Sequence, residues 1–375
     1  MWQFQNPVRI RFGEGRFDDL AEAIRGRRYV LVSYNEPSFD QLCTRLRQAA
    51  GAPAIEITDV APNPDLVSLA RQAARIGELQ VQPELIVAVG GGSVIDSAKV
   101  FAAAAEHGFD AVRSSLERGD LSGLSRALPL IAVPTTAGTG SEVTPWATVW
   151  DKEKGNKYSL AMPALFPELA LIDPALMSSM PRGLTVSTAL DALSHALEST
   201  WNKNANPVSA RFAVAAVRDI IEALPQLVDD LSNIELRSRL ARAALYAGLA
   251  FSNTKTAIAH SLSYPITLHH GVVHGIACSF TLPLIMRSLA GIGGTTEAVL
   301  NEMFDAPVSV GADRLEHFLN GLGVATDPKV YGVTDSAWDE LLAGALRNER
   351  GQNFIGSGDR ILAEVRSRQN REVAK

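Results

Sequence analysis

The chain has 375 residues, 46% of them hydrophobic and 20% charged, with a formal net charge of −6 at pH 7. That length accommodates two domains, each with its own core, and an acidic balance without a basic run excludes nucleic acid or an anionic membrane as the main partner. Two cysteines, Cys43 and Cys278, exclude a disulfide framework and, so far apart in sequence, give no reason for a cysteine metal site.

The segment Met1-Trp-Gln-Phe-Gln-Asn-Pro7 lacks the basic start and apolar core of a signal peptide, and no apolar run reaches the roughly 18 residues that span a bilayer. A soluble, cytoplasmic protein is expected.

Short β-rich runs then alternate with helical patterns. Strands are predicted at 28–33, 54–58, 85–89 and 129–133, and helices at 39–50 and 66–79. The alternation predicts βαβ units and a parallel, Rossmann-like sheet. The third strand runs into Gly90-Gly91-Gly92-Ser93 and then into a helix from Val94, a turn whose backbone N–H groups and helix dipole suit a diphosphate. The fourth runs into Pro134-Thr135-Thr136-Ala-Gly-Thr139-Gly-Ser-Glu142-Val-Thr144, a second loop able to hydrogen-bond phosphate and ribose.

Turn residues cluster between Asp173 and Gly183, and β signals stop there. An α/β dinucleotide-binding domain (1–180) followed by an all-helical domain (181–375) is expected. In the second, Asp191 and His195 sit at i, i+4 on a helix over 184–201 and aim two ligands at one point. His260 lies on a helix over 257–264, and Pro265 with Gly271 predicts a break before His274. One carboxylate and three imidazoles suit Fe(II), Zn(II) or another borderline divalent ion. Five of the seven histidines fall within these eighty residues. The polar tail from Arg366 to Lys375 is expected to fray.

These motifs, with Pro62-Asn63-Pro64 and Asp191-Ala-Leu-Ser-His-Ala-Leu-Glu198, resemble the iron-containing (group III) alcohol dehydrogenases over nearly the whole chain. The resemblance implies that Asp191, His195, His260 and His274 hold the metal, Fe(II) before Zn(II). It also implies that Asn63, Gly91, Gly92, Ser93, Asp96, Thr135, Thr136, Thr139, Thr144 and Lys157 line a nicotinamide dinucleotide site, with the active site in the cleft between the domains, and that the protein is a homodimer. The expected reaction is reduction of a small aldehyde to a primary alcohol, with His270, Tyr264 or water delivering the proton.

The chain departs from the family's common pattern in three places. Val32-Ser33-Tyr34-Asn35 stands where many members carry an aspartate for the ribose, which leaves NAD(H) and NADP(H) both open. Tyr264 replaces a histidine four residues after His260. Lys255, read as lying on the His260 helix or its first turn, replaces a small residue and would suit an anionic aldehyde, with Arg182 as a second cation. The stretches Thr144–Asp151, Thr254–Thr256 and His260–Thr267 are similar to the phosphonoacetaldehyde reductase branch, which implies phosphonoacetaldehyde as substrate and 2-hydroxyethylphosphonate as product. Alternatives are oxidation of neutral short-chain alcohols, a dehydroquinate-synthase-like lyase with a Glu and two His, and a nucleotide-sensing module that has lost catalysis, which would be expected to lose ligands, whereas all four are present.

Overall fold

The computed structural model describes the backbone of residues 1–373 and the side chains of residues 1–367. The chain forms two compact units, one of residues Asn6–Ser179 and one of Met1–Gln5 with Met180–Lys375.

The first unit is built on a six-stranded sheet. Its strands are β1 (Arg9–Phe12), β2 (Tyr29–Val32), β3 (Ile55–Ile57), β4 (Leu85–Gly90), β5 (Leu130–Pro134) and β8 (Leu169–Ile172). All neighbours pair in parallel, in the order β1-β8-β5-β4-β2-β3. Alternate residues feed two cores. Val30, Val32, Ile86, Ala88 and Ala132 pack on one face, and Leu31, Leu85, Val87, Ile131 and Val133 on the other. Burial on both faces is why these strands read as continuous apolar runs. From β2 the chain moves outward to β3, then returns to the far side of β2 for β4. That reversal is a topological switch point, where ligands bind at the carboxyl ends of the strands.

Four strands were absent from the sequence prediction. β1 and β8 are short, and β1 lies at the sheet edge with arginines at alternate positions. β6 (Trp146–Asp151) and β7 (Asn156–Ala161) form an antiparallel hairpin just after the expected binding loop, over residues for which no element was predicted.

The second unit is helical. Its first five residues are tied in by paired hydrogen bonds between Gln5 and Asn253. Pro265 does not end its helix, which runs Ile258–His270 through the proline and stops at Gly271, in a left-handed conformation with φ 67°. The polar tail continues the last helix, Gly358–Val373, while Ala374 and Lys375 lie outside the described residues. Among the described residues no helix is long and apolar enough to cross a membrane.

Candidate metal centre and nucleotide cradle

Asp191, His195 and Glu198 stand at i, i+4 and i+7 on the helix Arg182–Thr200, and so share one face. Most of that helix is buried, so polar groups on it must find partners within the unit. The Nε2 atoms of His260, His274 and His195 lie 3.4, 3.8 and 4.0 Å from a single atom, Asp191 Oδ1. His195 stacks on Phe251 at 4.0 Å and on His260 at 4.5 Å between ring centroids, which fixes its ring plane.

His274 begins the helix His274–Ser279. A Cβ on the next residue, Gly275, would stand 1.8 Å from the Ser187 carbonyl oxygen, so only glycine lets this helix approach the Asp191 helix.

Glu198 sets the orientation of His260. Ala257 caps the His260 helix without a side-chain hydrogen bond, and the Glu198 carboxylate takes over that function. It accepts from the backbone N–H groups of Ala257, Ala259 and His260, and from His260 Nδ1 at 2.6 Å. With Nδ1 donating there, Nε2 is left as the ligand atom facing Asp191. Glu198 was part of a quoted motif but had no assigned role; its i+7 spacing from Asp191 is the signal that could have found it.

The electrostatics match a cation site. Burial would push the Asp191 carboxyl up, but the imidazoles of His195, His260 and His274 outweigh it and hold the group well below the usual carboxylate range. Burial opposes a charge on His260, yet Cys278, Glu198 and Asp191 raise it well above an ordinary histidine. Asp191 Oδ1 and His260 Nε2 are buried and neither has a hydrogen-bond partner. Orphaned buried groups of opposite polarity facing each other fit ligands of one divalent ion better than they fit a hydrogen-bonded core.

Cys278, although far from Cys43 in sequence, also lies in this cluster. One turn on from His274, its sulfur lies 3.6 Å from His274 Nε2, and it forms a group with Asp191, His260 and His274 whose ligand atoms all lie within 4.8 Å of one another. Burial raises its thiol, and His260 and His274 bring it down to about 7.

Tyr264 stacks parallel to His274, 5.9 Å between centroids. His270 is carried ten residues along the helix from His260, roughly 15 Å at 1.5 Å per residue, and lies beside Gly332. Lys255 is not on the His260 helix. It ends the preceding helix, Ile234–Thr254, with φ 66°, and its exposed ammonium meets Glu349 Oε1 at 3.3 Å. Arg182 is exposed in the first turn of the Asp191 helix.

In the α/β unit the two expected loops meet. A Cβ on Gly91 would come within 3.3 Å of the Thr136 side chain, and one on Gly92 within 2.8 Å of Thr139. The backbone N–H of Asn63, itself at φ 59°, donates to Ser93 Oγ, and that of Thr135 to the Gly90 carbonyl. Asn63, Gly91, Gly92, Ser93, Thr135, Thr136 and Thr139 therefore cluster around the first turn of the helix Gly92–His107. The leading N–H groups of that helix have no intrahelical acceptor and suit a diphosphate.

Three other expected cofactor residues have internal partners. Asp96 accepts from Ser141 Oγ and the Thr148 N–H, and Thr144 accepts from Lys99 through its carbonyl and hydroxyl. Lys157 lies over the Trp150 ring on the hairpin.

Residues 7–174 match the family model described as iron-containing alcohol dehydrogenase, and residues 185–357 the model for the C-terminal part of that family. The chain is 39% identical over 240 residues to the phosphonoacetaldehyde reductase of Streptomyces viridochromogenes, an alignment that covers 63% of this chain and 60% of that protein. It is 31% identical over 365 residues to long-chain-alcohol dehydrogenase 1 of Geobacillus thermodenitrificans, covering 92% and 90%. The crystal structure of sulfoacetaldehyde reductase from Bifidobacterium kashiwanohense in complex with NAD+ superposes with a TM-score of 0.88 at 30% identity, covering 96% of each chain. Matched over both halves, the chain belongs to the iron-containing alcohol dehydrogenase family and is an oxidoreductase.

Proposed function

We propose that the protein reduces a small anionic aldehyde to a primary alcohol, with phosphonoacetaldehyde or its sulfonate counterpart as substrate, NADH as hydride donor and Fe(II) as metal. The observation that carries the redox reading is the convergence of three imidazole nitrogens on one buried carboxylate oxygen. Likeness to a phosphonoacetaldehyde reductase and a sulfoacetaldehyde reductase supports the anionic substrate.

Asp191, His195, His260 and His274 would hold the ion, and Glu198 would keep His260 in the tautomer that offers Nε2. A divalent ion bound there supplies Lewis-acid polarisation of a carbonyl, and a nicotinamide supplies the hydride. Gly91, Gly92, Ser93 and the Thr135–Thr139 loop would hold the dinucleotide. Tyr264, stacked on His274, is better placed than His270 to pass the proton, directly or through water.

The test is to titrate metal-free protein with Fe(II) and with Zn(II) while following oxidation of NADH and of NADPH. Phosphonoacetaldehyde, sulfoacetaldehyde and propanal serve as substrates. Faster turnover of either charged aldehyde than of propanal, with NADH and Fe(II), supports the proposal. No turnover with any combination would favour a sensor, and a preference for propanal would favour a neutral-alcohol dehydrogenase.

A further inference from the structure

If the substrate carries an anion on the carbon next to its carbonyl, a cation must stand close to the groups that receive the carbonyl. Lys255 is poorly suited to this, being exposed and paired with Glu349. Arg182 is exposed as well. Arg237, a third candidate in the helical unit, is buried, but Nε and both terminal nitrogens already donate to Leu231 O, Thr185 Oγ1 and Met180 O.

Arg350 differs from all three. Its guanidinium is partly buried and lies over the Tyr264 ring, 4.8 Å from the centroid, while that ring stacks on His274. Two stacking steps thus connect it to a residue of the metal cluster. Among the described residues no carboxylate or other acceptor hydrogen-bonds or ion-pairs with the guanidinium. The neighbouring Glu349 carboxylate is turned to Lys255 instead. Glu198 acts electrostatically on Arg350, but its oxygens are engaged by Ala257, Ala259 and His260. A planar fork of donors held against an aromatic face, with no protein acceptor, suits bidentate recognition of a phosphonate or sulfonate.

The loop that carries Arg350 is braced against the metal-bearing helix. Asn348 Nδ2 donates to Ser261 Oγ, next to His260, and Asn348 Oδ1 accepts from the Gly351 N–H at 2.9 Å. A Cβ on Gly351 would lie 1.8 Å from the Ala345 carbonyl oxygen, so the turn after Arg350 closes only with glycine there. Asn353 Nδ2 donates to Thr256 O at 2.9 Å. A cation on a loop tied at two points to the segment 256–261, and closed internally by Asn348 and Gly351, is pre-positioned, which limits the ordering cost of binding.

We infer that Arg350 is the specificity-determining residue for the substrate's anionic group, clamping a phosphonate or sulfonate beside Tyr264. The inference rests on the anionic-aldehyde reading above.

The experiment uses the metal-loaded enzyme and the variants Arg350→Met, Arg350→Lys and Lys255→Ala, with phosphonoacetaldehyde, sulfoacetaldehyde and propanal as substrates. Calorimetric binding of unreactive ethylphosphonate and ethanesulfonate, and metal content per chain, are measured in parallel. Arg350→Met is expected to raise KM for the charged aldehydes about 100-fold and to abolish measurable binding of the matching anion. The change for propanal should stay within about five-fold, with metal content retained. Arg350→Lys should recover part of the loss, and it carries the comparison should the methionine variant not fold. The probe that binds more tightly to the parent distinguishes phosphonate from sulfonate.

Equal effects of Arg350→Met on charged and neutral aldehydes, or undiminished binding of the anion, would overturn the inference and leave the substrate reading standing. Selective loss in Lys255→Ala alone would move the role to Lys255. A parent enzyme that neither turns over the charged aldehydes nor binds their analogues would overturn both.

Discussion

Each unit buries a cluster of charged side chains, and the two clusters are arranged in opposite ways. In the α/β unit the fully buried Lys99 donates to Ser141 O and Oγ, Thr144 O and Oγ1, and Trp146 O. Asp96 is likewise engaged by Ser141 and Thr148. Burial lowers Lys99 to about 8 and raises Glu142 to about 7, so desolvation is felt there, but Lys99 and Asp96 have hydrogen-bond partners. In the helical unit Asp191 Oδ1 and His260 Nε2 are equally buried and lack partners. Burial of charge therefore does not by itself mark a site. The closed cluster ties the helix Gly92–His107 to residues 141–148, while the open one leaves a buried acceptor and a buried ring nitrogen facing each other without partners.

The most forceful way to break this contrast is to remove the oxygen that the imidazoles share. Asp191→Ala should weaken metal binding at least about 1,000-fold and remove activity, because three ligands lose their common charge. Equilibrium dialysis with Fe(II) or Zn(II) measures it.

Next comes Gly275→Ala. Its methyl group would occupy the position of the Ser187 carbonyl, so denaturant unfolding should show a loss of about 3 kcal/mol or more as the His274 helix is displaced. Metal retention should fall with it.

Glu198→Gln keeps the shape but weakens the acceptor for His260 Nδ1 and three backbone N–H groups. Metal affinity should drop about 10- to 100-fold, as for other groups that orient a ligating histidine.

The pH dependence of metal binding sharpens the comparison further. His260 is held well above its ordinary value in the metal-free chain, so the ion must displace its proton. As pH falls the proton competes better, and the apparent Kd should rise about tenfold per pH unit for each proton displaced. As pH rises through the raised His260 value that slope should flatten. A Kd independent of pH across that window would contradict the assignment of His260 as ligand.

The smallest expected effect lies in the closed cluster. Thr144→Val removes one of five acceptors around Lys99 and should cost about 1 kcal/mol of stability without changing metal affinity.

Much of this was legible in the residues themselves. Continuous apolar runs such as Leu85–Val89 and Leu130–Val133 marked central parallel strands because both of their faces are covered. The hairpin β6–β7 carried a period-two pattern, Trp146-Ala-Thr-Val-Trp-Asp151 being alternately half-buried and buried, but no strand was predicted there. Pro265 was given too much weight, since a proline removes one helical hydrogen bond and packing around Ile258–His270 outweighs that loss.

At the candidate metal centre, i,i+4 spacing put Asp191 and His195 on one helix face, where the structure has them 4.0 Å apart. Cys278 and Arg350 were beyond such reasoning. Cys278 matters only because the helix His274–Ser279 places it one turn from a histidine, and Arg350 only because its loop folds back onto Ser261 and Thr256. Lys255 looked like the cation beside the metal because sequence distance from His260 was taken for a shared helix. The left-handed backbone at Lys255 separates the two helices and turns the side chain toward Glu349.

The most direct measurement of the central claim is X-ray absorption on the enzyme loaded with one equivalent of Fe(II). A first shell of nitrogen and oxygen only, with the outer scattering of several imidazoles, is the predicted result. A sulfur scatterer at about 2.3 Å would put Cys278 in place of a histidine, and failure to retain one ion per chain would contradict the account altogether.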